Sequence, residues 1–584
     1  MEPVATSSPE LLRRLAASRL APVALVLLCV AALLPGLFSM PPIDRDEARF
    51  AQASRQMFES VALPEAGREA ALHGGGLSIP YVQDKPRLNK PPLIYWLQAG
   101  SAALWTAGNP LKDAIWMYRI PGVLCVIGSV LLTWMLARAM AGPTVALLAG
   151  AGLAVCPVVV LDAHQARADQ LLLLTVVATQ ALLWRMACRG GGLWTALCFW
   201  VCIGLGVLAK GPMTPMIAAL TAIAWSVCRG EWRWLLRLQP WLGVLIVAAM
   251  VGPWVTSVAQ RVGWDFYLRT VWDETIGRSV EGKEGHWGPP GFHTLLVFAL
   301  LWPLSLGLPG AMVEAFGSMR AGEGSWLRRV RAGAARSPDQ LFLLAWVLPS
   351  WVVFELVSTK LPHYTLPMYP ALCILSARWI VAANEAAARK PVGAFLHWTR
   401  IWFGIGVVVM LGISVLAITP SWWAEFGWWK TSLRDEAMPR TNWWMLFPIA
   451  AMLYILGRAG RELAKMQTVR ATLLVIPAVV LAFAVLLGSV APPALTLSTR
   501  LAQHLPAGAD APPVFLQGYA EDSLVFLTRG RAKRSTPSPL PLGAIIVTDR
   551  APVGGELFAS FRGFNLAKSR AQTVYVLYPE RGGP

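Results

Sequence analysis

Apolar runs separated by short polar connections organise this chain. They lie near 22–40, 119–140, 144–161, 170–187, 193–209, 212–228, 240–258, 293–313, 340–358, 364–383, 401–420, 442–458 and 471–490, and each meets or approaches the ~20 residues needed to cross a bilayer. The pattern predicts an α-helical polytopic membrane protein with about 13 transmembrane helices. The first run follows Arg13, Arg14 and Arg19 like a signal anchor. It continues into acidic sequence without a clear small-residue cleavage site, so it is retained as a span. Segment 91–107 is also apolar, but its Pro91-Pro92 start, its Tyr and Trp content and the polar Gln98 predict an interfacial or re-entrant helix.

The basic residues give these spans a direction. With the N-terminus cytoplasmic, the connections after even-numbered spans carry 19 Lys and Arg, against six in the short external connections; adding a span at 91–107 would invert this bias. The frame puts 41–118, 259–292 and the tail from 491 outside. The tail reads differently, with strand-like runs VFLQGY, SLVFLTRG, GAIIVTD and TVYVLYP between Pro- and Gly-rich turns. It predicts a small α/β or mostly β domain over 491–584, beside a membrane domain over 1–490.

Composition narrows the class. The chain of 584 residues is 55% hydrophobic and only 14% charged, where a soluble domain carries about 25% charged residues, which excludes a water-soluble enzyme. The net charge of +18 is dispersed between apolar runs and suits lipid headgroups or lipid phosphate better than nucleic acid. The eight cysteines lie in or beside apolar runs, with neither a disulfide framework nor zinc spacing. No fixed-period repeat is present, which weighs against a transporter built of inverted halves.

Candidate chemistry gathers at the external ends of the spans. Directly after the first span comes Asp44-Arg45-Asp46-Glu47, three carboxylates in four positions. They serve either a site or the N-terminus of a helix, and Ala48, Phe50, Ala51, Met57 and Phe58 predict an amphipathic helix lying on the bilayer. Lys85, Arg87 and Lys90 then precede the apolar 91–107 segment. They either grip a lipid phosphate or merely snorkel. Asp162 and Asp169 flank Arg167 before the fourth span; Asp169 needs a partner from elsewhere, because a charge at a membrane edge is costly unless paired. Lys210-Gly211-Pro212, and Lys360, His363 and Tyr364 among prolines, face the same way. The loop 259–292 mixes Arg269, Arg278, Lys283 and His286 with five carboxylates and is long enough to close over a site. No cofactor is assigned. A divalent metal through His286 or His293 stays open, although the spacing matches no metal motif.

The ordered set DRDEARFA, RLNKPPLIYW, ARADQLLL, AKGP and KLPHYTLPMYP resembles the PMT-like, GT-C membrane glycosyltransferases, and among them most closely the bacterial lipid A aminoarabinose transferases. The resemblance covers about 1–380. It implies a GT-C fold with thirteen membrane helices and a periplasmic C-terminal domain, in the bacterial inner membrane. It also implies transfer, with inversion, of a sugar from a polyprenyl-phosphate donor. Asp46 and Asp169 match the family's loop carboxylates, Lys90 its lysine before the double proline, Arg278 its later arginine and Tyr364 its tyrosine. Where the aminoarabinose transferases commonly have Glu-Lys-Pro-Pro, this chain has Asn89-Lys90-Pro91-Pro92, without a carboxylate at 89.

These readings predict Asp46, Asp169 and Glu47 as catalytic residues. Lys85, Arg87, Lys90, Arg278, Lys210, Lys360, His363 and Tyr364 are predicted to bind substrate. The expected reaction moves 4-amino-4-deoxy-L-arabinose or a related sugar onto lipid A phosphate. A protein O-glycosyltransferase or another cell-surface glycan transferase keeps the fold and changes the acceptor. A lipid-linked sugar transporter is a different class, and would place its ionisable residues at mid-membrane.

Overall fold

The computed structural model describes residues 10–63, 76–273, 288–320, 326–386, 393–418, 443–508 and, with short gaps, 511–578. Among these, nine helices are long and apolar enough to cross a membrane: Ile115–Ala141, Asp169–Arg189, Leu193–Lys210, Pro240–Val262, Pro338–Leu356, Pro362–Glu385, Phe395–Ile418, Trp443–Ala464 and Thr468–Val490. A pair bent by 49°, Pro143–Ala154 and Pro157–Ala163, and three shorter apolar helices, Ala21–Leu33, Met213–Arg229 and Leu304–Gly317, account for the other predicted spans. Among the described residues each of the thirteen runs is thus helical over at least part of its length. The chain is a multi-pass membrane protein.

Apolar attraction between helices is weak in lipid, so close approach and polar contacts hold the bundle. A Cβ on Gly206 would stand 2.4 Å from the Thr214 side chain, so glycine lets the Leu193–Lys210 and Met213–Arg229 helices meet. Gln180 donates to Thr221 Oγ1 at 2.9 Å, and the hydroxyls of Thr175 and Thr214 lie 3.2 Å apart. The turn at Lys210-Gly211 is thereby fixed at one end of the bundle.

That end carries an additional layer. Leu93–Trp105 forms a 13-residue helix, shorter than the ~20 residues of a membrane span, packed on the Asp46–Ala62 helix with Leu104 and Trp105 exposed. The Asp46–Ala62 helix departs from expectation. It does not lie on the bilayer with one face in water, because Gln52, Ser54, Arg55 and Gln56 are buried along with Ala48, Phe50, Ala51 and Met57. Polar partners make this burial possible: Ser54 donates to Gln98 Oε1 at 2.7 Å, and Arg55 Nε to Asp113 Oδ2 at 2.6 Å.

The tail forms a five-stranded sheet with its own core around Leu501, Leu524, Val547 and Val576. Its strands are β3 (Val514–Gln517), β4 (Ala532–Lys533), β5 (Ile545–Thr548), β6 (Glu556–Asn565) and β7 (Arg570–Tyr578), in the order β4-β3-β5-β7-β6; β1 (Tyr81–Val82) and β2 (Lys85–Pro86) form a separate antiparallel hairpin. Pairing is parallel among β4, β3 and β5, and antiparallel among β5, β7 and β6. The predicted strand SLVFLTRG is instead the short helix Asp522–Leu527. It buries two faces, with Leu524 and Val525 in the sheet core and Phe526 in the cluster around Tyr95 and Tyr118, which a strand covering one layer would not do.

Glu47 fixes this layer to the bundle. Arg119 donates to its two carboxylate oxygens at 2.7 and 3.0 Å, and the backbone N–H groups of Ile43 and Ala166 donate at 2.7 and 3.0 Å. Both ion-pair side chains are fully buried. Removing one partner from such a pair costs about 3–5 kcal/mol. Glu47→Ala and Arg119→Ala should therefore each lower thermal stability in detergent sharply, as read by tryptophan fluorescence, whereas an exposed substitution such as Trp194→Ala should leave it nearly unchanged.

Candidate active site

The sharp entry into the Asp46–Ala62 helix sets the site. Arg45 precedes the helix with φ 64°, a left-handed conformation that costs a non-glycine residue about 1–3 kcal/mol and needs its surroundings to enforce it. The grip of Glu47 on Ile43 and the acceptance by Asp44 of a 2.9 Å hydrogen bond from the Ser523 N–H do so. Asp46 thereby keeps half of its side-chain surface open, with Arg87 Nη2 3.8 Å from Oδ1.

The other charged residues converge from separate elements. The β1–β2 hairpin is held by reciprocal bonds between Gln56 and the Gln83 backbone at 2.8 and 2.9 Å. Beyond it Arg87 lies with its guanidinium 4.5 Å from the Phe50 ring centre. Arg167 is paired with Asp162, and Lys210 with Asp169; His363 Nε2 stands 3.8 Å from Asp169 and Lys210 Nζ 5.7 Å from the Tyr364 ring centre. The partner that Asp169 required is thus Lys210, supplied by the AKGP motif. Burial opposes ionisation of Asp46, but the fields of Arg87, Arg167 and Lys90 outweigh it and hold the carboxyl below its ordinary value of 3.8.

Beside these charges lies a cavity of about 640 Å³ walled by Leu172, Val207, Trp254, Val255, Tyr267 and Phe354, with Lys90, Lys210 and Tyr364 also on its lining. The wall is apolar and the cations come from helix ends. Such a cavity can hold a hydrocarbon chain whose anionic head meets the lysines.

Residues 89–256 match the dolichyl-phosphate-mannose-protein mannosyltransferase family. An undecaprenyl phosphate-α-4-amino-4-deoxy-L-arabinose arabinosyl transferase of Enterobacter sp. (strain 638) is 25% identical over 64% of this chain and 61% of its own length. A protein of the same name from Pseudomonas aeruginosa (strain UCBPP-PA14) is 26% identical over 71% of this chain and 73% of its own. The chain thus matches about three fifths of the length of the former. The crystal structure of ArnT from Cupriavidus metallidurans bound to undecaprenyl phosphate superposes with a TM-score of 0.67 at 18% identity, covering 97% of this chain and all of that one. The chain has the GT-C fold and resembles the PMT-like glycosyltransferases.

Several predicted residues take other positions. Glu47 is sealed in its ion pair with every bond directed to protein, so it positions Asp46 and is not open to substrate. Lys360 Nζ donates to the carbonyls of Phe354 and Glu355 at 3.0 and 2.6 Å, which ties it to the end of the Pro338–Leu356 helix and takes it away from a substrate role. Lys85 is exposed at the rim of a second, polar cavity. Arg278, Lys283 and His286 lie outside the described residues. His293 is buried near Glu355, not near Asp46. Among the described residues no three His, Cys, Asp or Glu side chains converge as a divalent ion requires.

Sequence reading missed the contribution of the C-terminal unit. Arg529 donates to Asp113 at 2.6 Å and to Glu59 at 2.8 Å, and Arg49 to Asp522 at 2.7 Å. The signal was the basic run RGRAKR at 529–534, dense for a sheet-forming tail. Asp44 belongs to the same contact. Burial raises its pKa to about 7, opposed by its hydrogen bonds to Ser523 and reinforced by Glu521. A carboxyl raised in the folded state adds stability below its unfolded value near 4, and loses it as pH rises through about 7. The stability of the wild type relative to Asp44→Asn should fall between pH 4 and 7 and level off above, as followed by thermal melting across that range.

Proposed function

We propose that this chain transfers a sugar from a polyprenyl-phosphate carrier to a phosphate-bearing acceptor, most simply 4-amino-4-deoxy-L-arabinose or a related sugar to lipid A, at the periplasmic face of a bacterial inner membrane. The observation that carries the reading is the apolar cavity bearing Lys90 and Lys210 beside the open carboxylate of Asp46. The names of the relatives, the undecaprenyl phosphate in the superposing structure and the 19-to-6 distribution of Lys and Arg support the donor and the orientation. The paired acids and bases of the candidate site gather at one end of the bundle, which favours chemistry over transport.

In the proposed reaction the bond between the sugar C1 and the carrier phosphate oxygen breaks. The electron pair stays with polyprenyl phosphate, whose charge Lys90 and Lys210 balance. An acceptor oxygen bonds C1 from the opposite face. Asp46 bears on the choice of acceptor: a general base works best with a pKa near the operating pH, whereas its carboxyl is held below 3.8. It is therefore a poor base for a hydroxyl and a good fixed anion for orienting a cationic amino sugar. A phosphate acceptor is already anionic and needs no base. This favours lipid A phosphate over a protein hydroxyl. Asp169, held by Lys210, keeps that lysine in place at the carrier phosphate.

Sugar transfer to lipid A in proteoliposomes should fall about 100-fold or more in Asp46→Asn, with the protein still folded. The wild-type rate should show no acidic limb from Asp46 between pH 8 and 5, because a depressed carboxyl remains ionised there. Full transfer by the variant, or a limb near pH 6 that the variant abolishes, would overturn the role given to Asp46.

A further inference from the structure

The second cavity, of about 1080 Å³, is larger than the ~300–1,000 Å³ typical of small-molecule sites. It lies between the Asp46–Ala62 helix, the β1–β2 hairpin and the C-terminal unit, and shares Leu88 and Asn89 with the apolar cavity. The two chambers thus adjoin at the residue before Lys90. The Oδ1 atom of Asn89 is buried there without a hydrogen-bond partner among the described residues, which is costly unless a ligand supplies a donor.

The charge of this chamber has a sign. Six cations line it, Arg49, Lys85, Arg87, Arg529, Lys533 and Arg534, against the three carboxylates Glu59, Asp84 and Asp522. Three arginines are paired with carboxylates, Arg49 and Arg534 with Asp522 and Arg529 with Glu59 and Asp113, while Arg87 approaches Asp46 only to 3.8 Å. Lys85 and Lys533 stand exposed on strands β2 and β4, and the two strands are joined through Gln83, whose Nε2 donates to the carbonyls of Gly530 and Ala532 at 3.0 and 2.6 Å. Two lysines are therefore presented to one cavity by strands that are bonded together. The amides of Gln52, Gln56 and Gln83 bond to one another and to the backbone, which holds this wall of the chamber in place.

We infer that this chamber receives the acceptor: a phosphate-bearing saccharide head group, its phosphate on Lys85 and Lys533 and its reacting end at Asn89, opposite the donor. The C-terminal unit then selects the acceptor, through Lys533. The inference rests on the transfer reading above and adds to it where the second substrate sits.

The test is binding to the full-length protein in detergent of three probes: bisphosphorylated lipid A, the same lipid A after dephosphorylation, and undecaprenyl phosphate. Lys533→Glu should weaken bisphosphorylated lipid A at least 10-fold, with Lys533→Arg restoring it, while undecaprenyl phosphate binds as to wild type and dephosphorylated lipid A binds weakly to all forms. Unchanged binding of bisphosphorylated lipid A by Lys533→Glu would overturn the inference and leave the donor reading standing, as would equal loss of both phosphate lipids. Failure of the wild type to bind undecaprenyl phosphate would overturn the donor reading, and the acceptor assignment with it, irrespective of Lys533.

Discussion

A carboxylate buried away from water must have its oxygens filled by donors, and at Glu47 four donors from three stretches of chain do this. Arg119 comes from the Ile115–Ala141 helix, Ala166 from the turn before Asp169, and Ile43 from the exit of the first span. One side chain thus fixes the separation of the first-loop helix from the turn that carries Asp162, Arg167 and Asp169. Pairing of this kind is favourable only if it is complete. Its completeness gives Asp46, the adjacent residue, a fixed direction while leaving it unpaired by any close contact stronger than the 3.8 Å approach of Arg87. Two neighbouring acids in one sequence motif therefore have opposite fates. One is structural because it is saturated, and the other is available because it is not.

The spans were legible in the sequence because lipid imposes one simple requirement, that backbone groups be satisfied within helices wrapped in apolar side chains. Among the described residues each of the thirteen runs is helical over at least part of its length. The bend at 155–156 stands directly before Pro157, a residue that marks where a helix can break but not how far the next one turns; the shortness of several helices was not legible, since it follows from packing of one helix on another. The first-loop helix was read as bilayer-facing because Ala48, Phe50 and Met57 form an apolar stripe. What the stripe could not reveal was that its polar face is covered as well, by Gln98, Asp113 and the C-terminal unit. The short helix at 522–527 was misread for a related reason: a run of five apolar or small residues carries no period that separates a buried strand from a buried turn of helix.

The site was legible in its residue types and less so in its roles. Asp46, Lys90, Asp169, Lys210 and Tyr364 were each found through short motifs, and the fold brings them to one end of the bundle. Glu47 and Lys360 share the chemistry and the neighbourhood of those residues, yet their polar atoms are used by the protein itself. Sequence spacing does not disclose which way a side chain is turned once several elements converge. Arg529 went unread because it lies more than 400 positions from the helix it meets, and Lys533 because only the folded chain brings it to the same cavity.

The central claim is that fixed charges of opposite sign stand within reach of each other's fields at the mouth of the apolar cavity, with the lysine drawing the carrier phosphate in and the carboxylate set beside it for the sugar. Undecaprenyl phosphate without its sugar reports on this directly, because it meets both charges and undergoes no reaction. Its affinity for the purified protein, measured at one ionic strength for the wild type, Lys90→Gln and Asp46→Asn, should move in opposite directions, weaker for the first variant and tighter for the second. Weakening by both variants, or no change in either, would contradict the account.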